Sequence, residues 1–155
     1  MSKNLLVVRL RGTVNVREPV RKTLEQLHLT KRFRATIVPD TPDYKGMLIT
    51  SKEHIAWCPV NASLISKLVK QRGRKGGWKL LTLKDIKGFG FKGFRDLAKS
   101  IDIGKTALKE IEGIKPFFAL SPPRGGFKRS TRRLYAQGGI LGENPELISI
   151  VGKMI

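Results

Sequence analysis

His54 and Cys58 stand four residues apart, and Gly88, Gly90 and Gly93 spell GxGxxG with Glu110 and Glu112 downstream. On a helix the first pair would bring an imidazole beside a thiol, as a nucleophile pair or half of a metal site; the second pattern suggests a dinucleotide cradle. Each lacks the partners its chemistry needs. A structural zinc requires a full tetrahedral set of Cys and His ligands, whereas Cys58 is the single cysteine and His28 the only other histidine. Cys58 also lies between Trp57 and Pro59, the ordinary setting of a small buried hydrophobe. The glycine pattern follows TLKDIK rather than a buried strand and is interleaved with Lys87, Phe89, Phe91 and Lys92, so glycines between short fragments, or a flexible basic and aromatic contact, explain it better. Asp40 and Asp43 sit in a proline turn, where such side chains hold local backbone, and Glu110 and Glu112 fall on different sides of any helix. No catalytic, cofactor-binding or metal-binding residue is assigned, and no small-molecule substrate is implied.

The chemistry that remains is charge. Lys and Arg number 31 against 12 Asp and Glu, a formal net charge of +19 in 155 residues. Self-repulsion of that size disfavours a compact monomer without counter-charges, and nucleic acid supplies them with favourable release of its condensed ions. From Gly113 to Gly142 there is no acidic residue, yet Lys115, Arg124, Lys128, Arg129, Arg132 and Arg133 lie there. Guanidinium groups bind phosphate through paired hydrogen bonds and stack on bases. Phe127 and Tyr135 are interleaved with them, to meet unstacked bases or, for Tyr135, to anchor the arm. Pro122 and Pro123 stiffen the exit of this arm, Gly125 and Gly126 permit close backbone approach, and the segment is expected to be loose alone and ordered on RNA. Candidate RNA-binding residues are Arg11, Arg17, Lys31, Arg32, Arg34, Lys45, Arg72, Arg74, Lys75, Arg124, Lys128, Arg129, Arg132 and Arg133.

Those side chains need a scaffold. Leu5 to Leu10 reads as a buried strand, ending in Arg9, Arg11 and Gly12. Glu18 and Pro19 open a helix that aligns Val16, Val20, Leu24 and Leu27, shows Arg17, Arg21 and Lys22 on its other face, and runs out into Lys31, Arg32 and Arg34. Ala35 to Val38 is a second strand; DTPDYKG reads as a turn before Met47 to Thr50 resume an extended pattern, with Ile55 and Trp57 extending the sheet. Asn61 caps a helix with Leu64, Ile65, Leu68 and Val69 as its stripe, and Gly73 stands where a left-handed terminator would. Residues 76–113 read as an inserted helical subdomain, Pro116 to Leu120 as a strand returning to the sheet, and Asn144 with Pro145 as the start of a last helix carrying Leu147, Ile150, Val151 and Met154.

The expectation is an α+β fold: a ferredoxin-like split β-α-β core over residues 1–75, the helical insertion over 76–113, and over 114–155 the returning strand, the basic carboxy-terminal arm and the terminal helix. Helices are expected on one face of a largely antiparallel sheet, leaving the other for RNA. The amino-terminal stretch MSKNLLVVRLRG is too short and charged for a secretory leader, no run approaches a membrane span, and one cysteine fits a reducing compartment, so a cytoplasmic location is expected. A nucleotide-dependent RNA-modifying protein and an architectural DNA binder are the rival readings.

Two stretches carry a resemblance to a known family. The first runs from Leu5 to about Ile55 and includes Arg9, Arg11 and Gly12, the helix through Leu24 and Leu27, Lys31 and Arg32, and DTPDYKGM from Asp40 to Met47. The second is SPPRGGFK from Ser121 to Lys128, with the basic run and helix that follow. In these the chain resembles the large-subunit ribosomal protein family called L-thirty in bacteria and L-seven in eukaryotes. The eukaryotic form has a long basic tail before the core and this chain starts almost at the first strand, so the archaeal type is the closer match. The resemblance implies a non-catalytic protein of the large ribosomal subunit that binds its rRNA near the 5S rRNA, assists assembly and touches neighbouring ribosomal proteins. It places RNA contacts on Arg11, Lys31, Arg32 and the SPPRGGFKRSTRR arm, and none on residues 76–113.

Overall fold

The computed structural model describes residues 4–155; Met1, Ser2 and Lys3, which open the stretch read above for a leader, lie outside the described residues. Strand β1 (Asn4–Arg9) is the axis of the sheet. Its run of branched side chains is buried on both sides, Leu6 and Val8 in one apolar cluster and Leu5 and Val7 in the other. A run without polar alternation suits a strand that has no wet face. β2 (Arg34–Pro39) and β3 (Ile55–Pro59) flank β1, both antiparallel to it, with Leu6 opposite Ile37 in one ladder and Cys58 in the other. β2 and β3 are therefore parallel to each other with β1 between them, the split β-α-β arrangement. β4 (Phe118–Ala119) adds to β2, while β6 (Gly139–Glu143) joins β3 and β5 (Ser130–Leu134) joins β6, both parallel, for the order β4-β2-β1-β3-β6-β5.

Helices α1 (Glu18–Gln26) and α2 (Pro42–Thr50) cover one face, where Leu24, Leu27 and Leu48 pack on Leu5 and Val7. The other face carries α3 (Ala62–Arg72), α4 (Leu83–Gly88), α5 (Phe94–Asp102) and α6 (Leu147–Met154). Asn61 caps α3 as expected, its Oδ1 accepting from the Leu64 N–H at 2.9 Å, and Leu64, Ile65, Leu68 and Val69 are buried. At roughly 1.5–3 kcal/mol for each fully buried aliphatic side chain, that stripe rather than helix propensity holds α3 in place. Leu81, Ile86, Leu97 and Ile101, from residues 76–113, belong to the same buried cluster as α3 and the sheet.

The α+β class and the split core match the sequence reading, and several local expectations are corrected. Helices lie on both faces of the sheet, so neither face is left open for RNA. Residues 42–50 form α2 instead of turn and strand: Thr41 Oγ1 accepts from the Tyr44 N–H, Pro42 sits in the first turn and Asp43 beside the positive helix end. Turn formers and helix starters are the same residues here. Gly73 is extended, with φ −62° and ψ 135°, and what it provides is clearance, because a Cβ there would collide with the Val69 carbonyl and the Leu81 side chain. α6 begins at Leu147, two residues later than expected, because the Asn144 Oδ1 accepts from the Glu146 N–H at 2.9 Å and closes a turn first. Within the arm, residues 130–134 form β5, paired with β6, and the root of the arm is tied to α3 and α6.

Candidate nucleic-acid interface

With both sheet faces covered, cations reach solvent along the rim, and the two stretches singled out in the sequence meet there. Phe33 is held with φ 64°, its N–H donating to the Arg9 carbonyl at 2.7 Å and its carbonyl accepting from the Leu120 N–H at 3.0 Å. Its ring stacks on Phe127 of the arm, centroids 6.2 Å apart and planes 21° from parallel. The Arg32 guanidinium lies 4.7 Å from the Phe33 centroid, and its Nε donates to the Leu10 carbonyl at 3.0 Å. Lys31 and Arg32 stand exposed, next in sequence to the ring that packs on Phe127, whose neighbour Lys128 is also exposed. The pairing of Phe33 with Phe127 joins the turn before β2, in the first stretch, to the second stretch.

The root of the arm is fixed by Arg72, which donates to the Ser121 Oγ at 2.9 Å, the Ala119 carbonyl at 3.4 Å and the Met154 carbonyl at 3.5 Å. Pro123 is buried, and the Arg124 N–H donates to the Lys153 carbonyl at 3.3 Å. Arg72 is therefore a bracket between α3, β4 and α6, held through both terminal guanidinium nitrogens. Further along, Arg129 lies 3.8 Å from Glu146 of the terminal segment and its guanidinium 4.9 Å from the Tyr135 centroid. Arg124, Lys128, Arg132 and Arg133 are exposed and make no ion pair among the described residues.

The other candidates divide in the same way. Arg11 and Arg17 line an open cleft of about 510 Å³ with Lys52 and His54; burial first, and then Arg11 and Arg9, hold the His54 imidazole below its usual range. Arg34 donates to the Thr30 Oγ1 at 2.6 Å. Lys45 is paired with Asp40 at 3.1 Å on α2. Arg74 donates to the carbonyls of Gln71 and Gly73. Lys75 is paired with Asp85 at 3.0 Å, and the Asp85 carboxyl is pulled down to about 2, chiefly by the Thr82 N–H and then by Lys75.

Sequence reasoning passed over two features. Arg9 is 3% exposed and donates to the carbonyls of Leu29 at 2.7 Å, Arg11 at 3.0 Å and Gly12 at 3.2 Å, knitting the strand end that presents Arg11. A second cleft, of about 550 Å³, is lined by Lys67 and Lys70 of α3 and Arg95 and Lys99 of α5, with no acidic residue. The spacing of three and four between those cations was the available signal.

The chemistry set aside from the sequence stays set aside. Cys58 is in strand β3, and burial pushes its thiol up to about 11, so it is protonated and a poor nucleophile. Gly88 ends α4 and Gly93 precedes α5, so the glycine pattern joins two short helices and no strand leads into it.

Comparison with known proteins bears on this geometry directly. The family model described as ribosomal protein L30p/L7e matches residues 5–55, the split core up to the first residue of β3. Proteins called large ribosomal subunit protein uL30 align over nearly all of the chain. That of Cenarchaeum symbiosum is 43% identical over 155 residues and that of Nitrosopumilus maritimus 41% over 155, each covering 100% of both chains. That of Archaeoglobus fulgidus is 37% identical over 149 residues, covering 96% of this chain and 97% of its own. Core, arm and terminal helix are all within those alignments, and the chain belongs to the uL30 family of large-ribosomal-subunit proteins, in its archaeal-type form.

Proposed function

We propose that this chain clamps large-subunit rRNA along the rim where Lys31 and Arg32 meet the arm, close to the 5S rRNA, and that it assists subunit assembly in the cytoplasm. As a uL30 family member it is a structural, non-enzymatic constituent of the large subunit, with rRNA and neighbouring ribosomal proteins as partners. The observation that carries the finer reading is the Phe33–Phe127 stack, which gathers exposed cations from two distant stretches onto one surface. Basic groups gathered at such a seam neutralise phosphates where RNA helices approach each other.

The test is hydroxyl-radical footprinting of large subunits assembled with and without the chain. Protection of a large-subunit rRNA junction adjoining the 5S rRNA is expected, together with slower assembly when the chain is omitted. Protection confined to regions remote from the 5S rRNA would refute the placement, and an rRNA footprint that is the same with and without the chain would refute the clamp.

A further inference from the structure

Residues 74–80 and 114–117 form an aromatic and cationic surface that the clamp does not use. Gly77 and Trp78 are consecutive left-handed residues, with φ 75° and 60°. Glycine enters that region freely, but for a bulky residue it is a backbone outlier that persists only where the surroundings enforce it. Here the Lys75 N–H donates to the Lys79 carbonyl and the Lys115 N–H to the Arg74 carbonyl, both at 2.9 Å, closing the loop onto the segment before β4. The result is an indole 49% exposed. It meets the Phe117 ring edge-on, centroids 5.8 Å apart at 62°. Lys115 Nζ stands 4.2 Å from the indole centroid, and the Arg34 guanidinium 4.2 Å from Phe117 and 5.9 Å from the indole. Arg34 and Lys115 make no ion pair among the described residues.

We propose that Trp78 and Phe117, flanked by Arg34 and Lys115, are a stacking platform for an unpaired RNA base whose adjoining phosphates the two cations neutralise. A base offers a π-face to the indole and a negative backbone to the cations, so one ligand satisfies both halves of the surface. An apolar protein partner would cover the indole but strip water from two cations that have no carboxylate partner among the described residues, which is costly. The edge contact with Phe117 and the Lys115 ammonium hold the indole in place, which lowers the cost of stacking a base on it. The platform rests on the rRNA-binding reading, and it assigns a contact to residues 76–113, where the family resemblance placed none.

The experiment measures the affinity of the full chain for in vitro transcribed large-subunit rRNA, comparing wild type with Trp78→Ala and Trp78→Phe. Circular dichroism and Trp57 emission check the fold. Trp78→Ala should weaken binding about 5- to 150-fold, the range for loss of one stacked base, and Trp78→Phe should recover most of it. Ultraviolet cross-linking of the wild-type complex, followed by mass spectrometry, should find a nucleotide adduct on the peptide holding Trp78, a readout that does not depend on any variant folding. Wild-type affinity in a folded Trp78→Ala chain, or adducts confined to the arm, would overturn the platform while leaving rRNA binding intact. So would cross-links from Trp78 to a neighbouring protein in whole subunits. Failure of the wild-type chain to bind the rRNA at all would overturn both readings together.

Discussion

Replacing Arg124, Lys128, Arg132 and Arg133 together by alanine isolates the electrostatic share of the clamp. All four side chains are exposed and make no ion pair among the described residues. Arg129 is left in place, because Glu146 and the Tyr135 ring hold it and its loss would mix anchoring with charge. Surface substitutions of this kind change stability by about 0.5 kcal/mol or less, so the melting temperature should stay near that of the wild type. Each phosphate contact contributes about 0.7–0.9 to the slope of log affinity against log salt, so the four together should flatten the line by about 3. The two lines then converge near about 1 M salt and separate to about a thousandfold difference in affinity at about 0.1 M. Filter binding of both chains to large-subunit rRNA over that range measures it. Parallel lines, whether superposed or offset by a constant factor, would refute the assignment of these four cations to phosphate.

Three further outcomes follow from the Arg72 bracket, the Asp85–Lys75 pair and the seam between β5 and β6. Arg72→Ala removes the donor that ties Ser121 and Ala119 to α3 and should cost about 1–3 kcal/mol in urea unfolding while leaving the salt slope unchanged; a flattened slope would mean Arg72 touches phosphate after all. Asp85→Asn should lower the melting temperature near neutrality: the native Asp85 pKa, about 2, is depressed below the unfolded value of about 3.9, so its contribution is present above that value and disappears as pH falls toward about 2. A difference between the two chains that persists undiminished at the acid limit would refute this. Gly139→Ala forces a Cβ into the Arg133 carbonyl and should destabilise by about 1–3 kcal/mol, with faster amide exchange in β5 as the local sign; unchanged exchange there would show that β5 is not held by this seam.

What the sequence made legible follows the range of the interactions involved. β1, α1, β2 and α3 declare themselves because local periodicity and caps such as Asn61 coincide with burial. α2 does not, because Met47, Leu48 and Ile49 are consecutive and only Leu48 is buried, which leaves no stripe to read. β5 and β6 depend on a distant neighbour: STRRL is polar and GILGE is bracketed by glycines, and it is β3 that makes β6 a strand. In the interface, residue type was readable and partnership was not. Lys45, Lys75 and Arg129 are cations in the sequence just as Lys31 and Arg132 are, but Asp40, Asp85 and Glu146 sit beside the first three. Trp78 looks like one more apolar residue among glycines until the fold sets it between Lys115 and Phe117.

The ends of the sheet bear on the life of the chain before it reaches RNA. An edge strand offers unpaired backbone to any other strand, and a newly made copy crowded among others is at risk of templated aggregation. Here β4 is only two residues long, too short to seed such pairing, and β5 carries Arg132 and Arg133 along the opposite edge. Two copies meeting through β5 would bring four guanidinium groups together and repel. The same arginines that we propose hold phosphate in the finished particle would then act earlier as gatekeepers, keeping each copy single until its polyanion arrives.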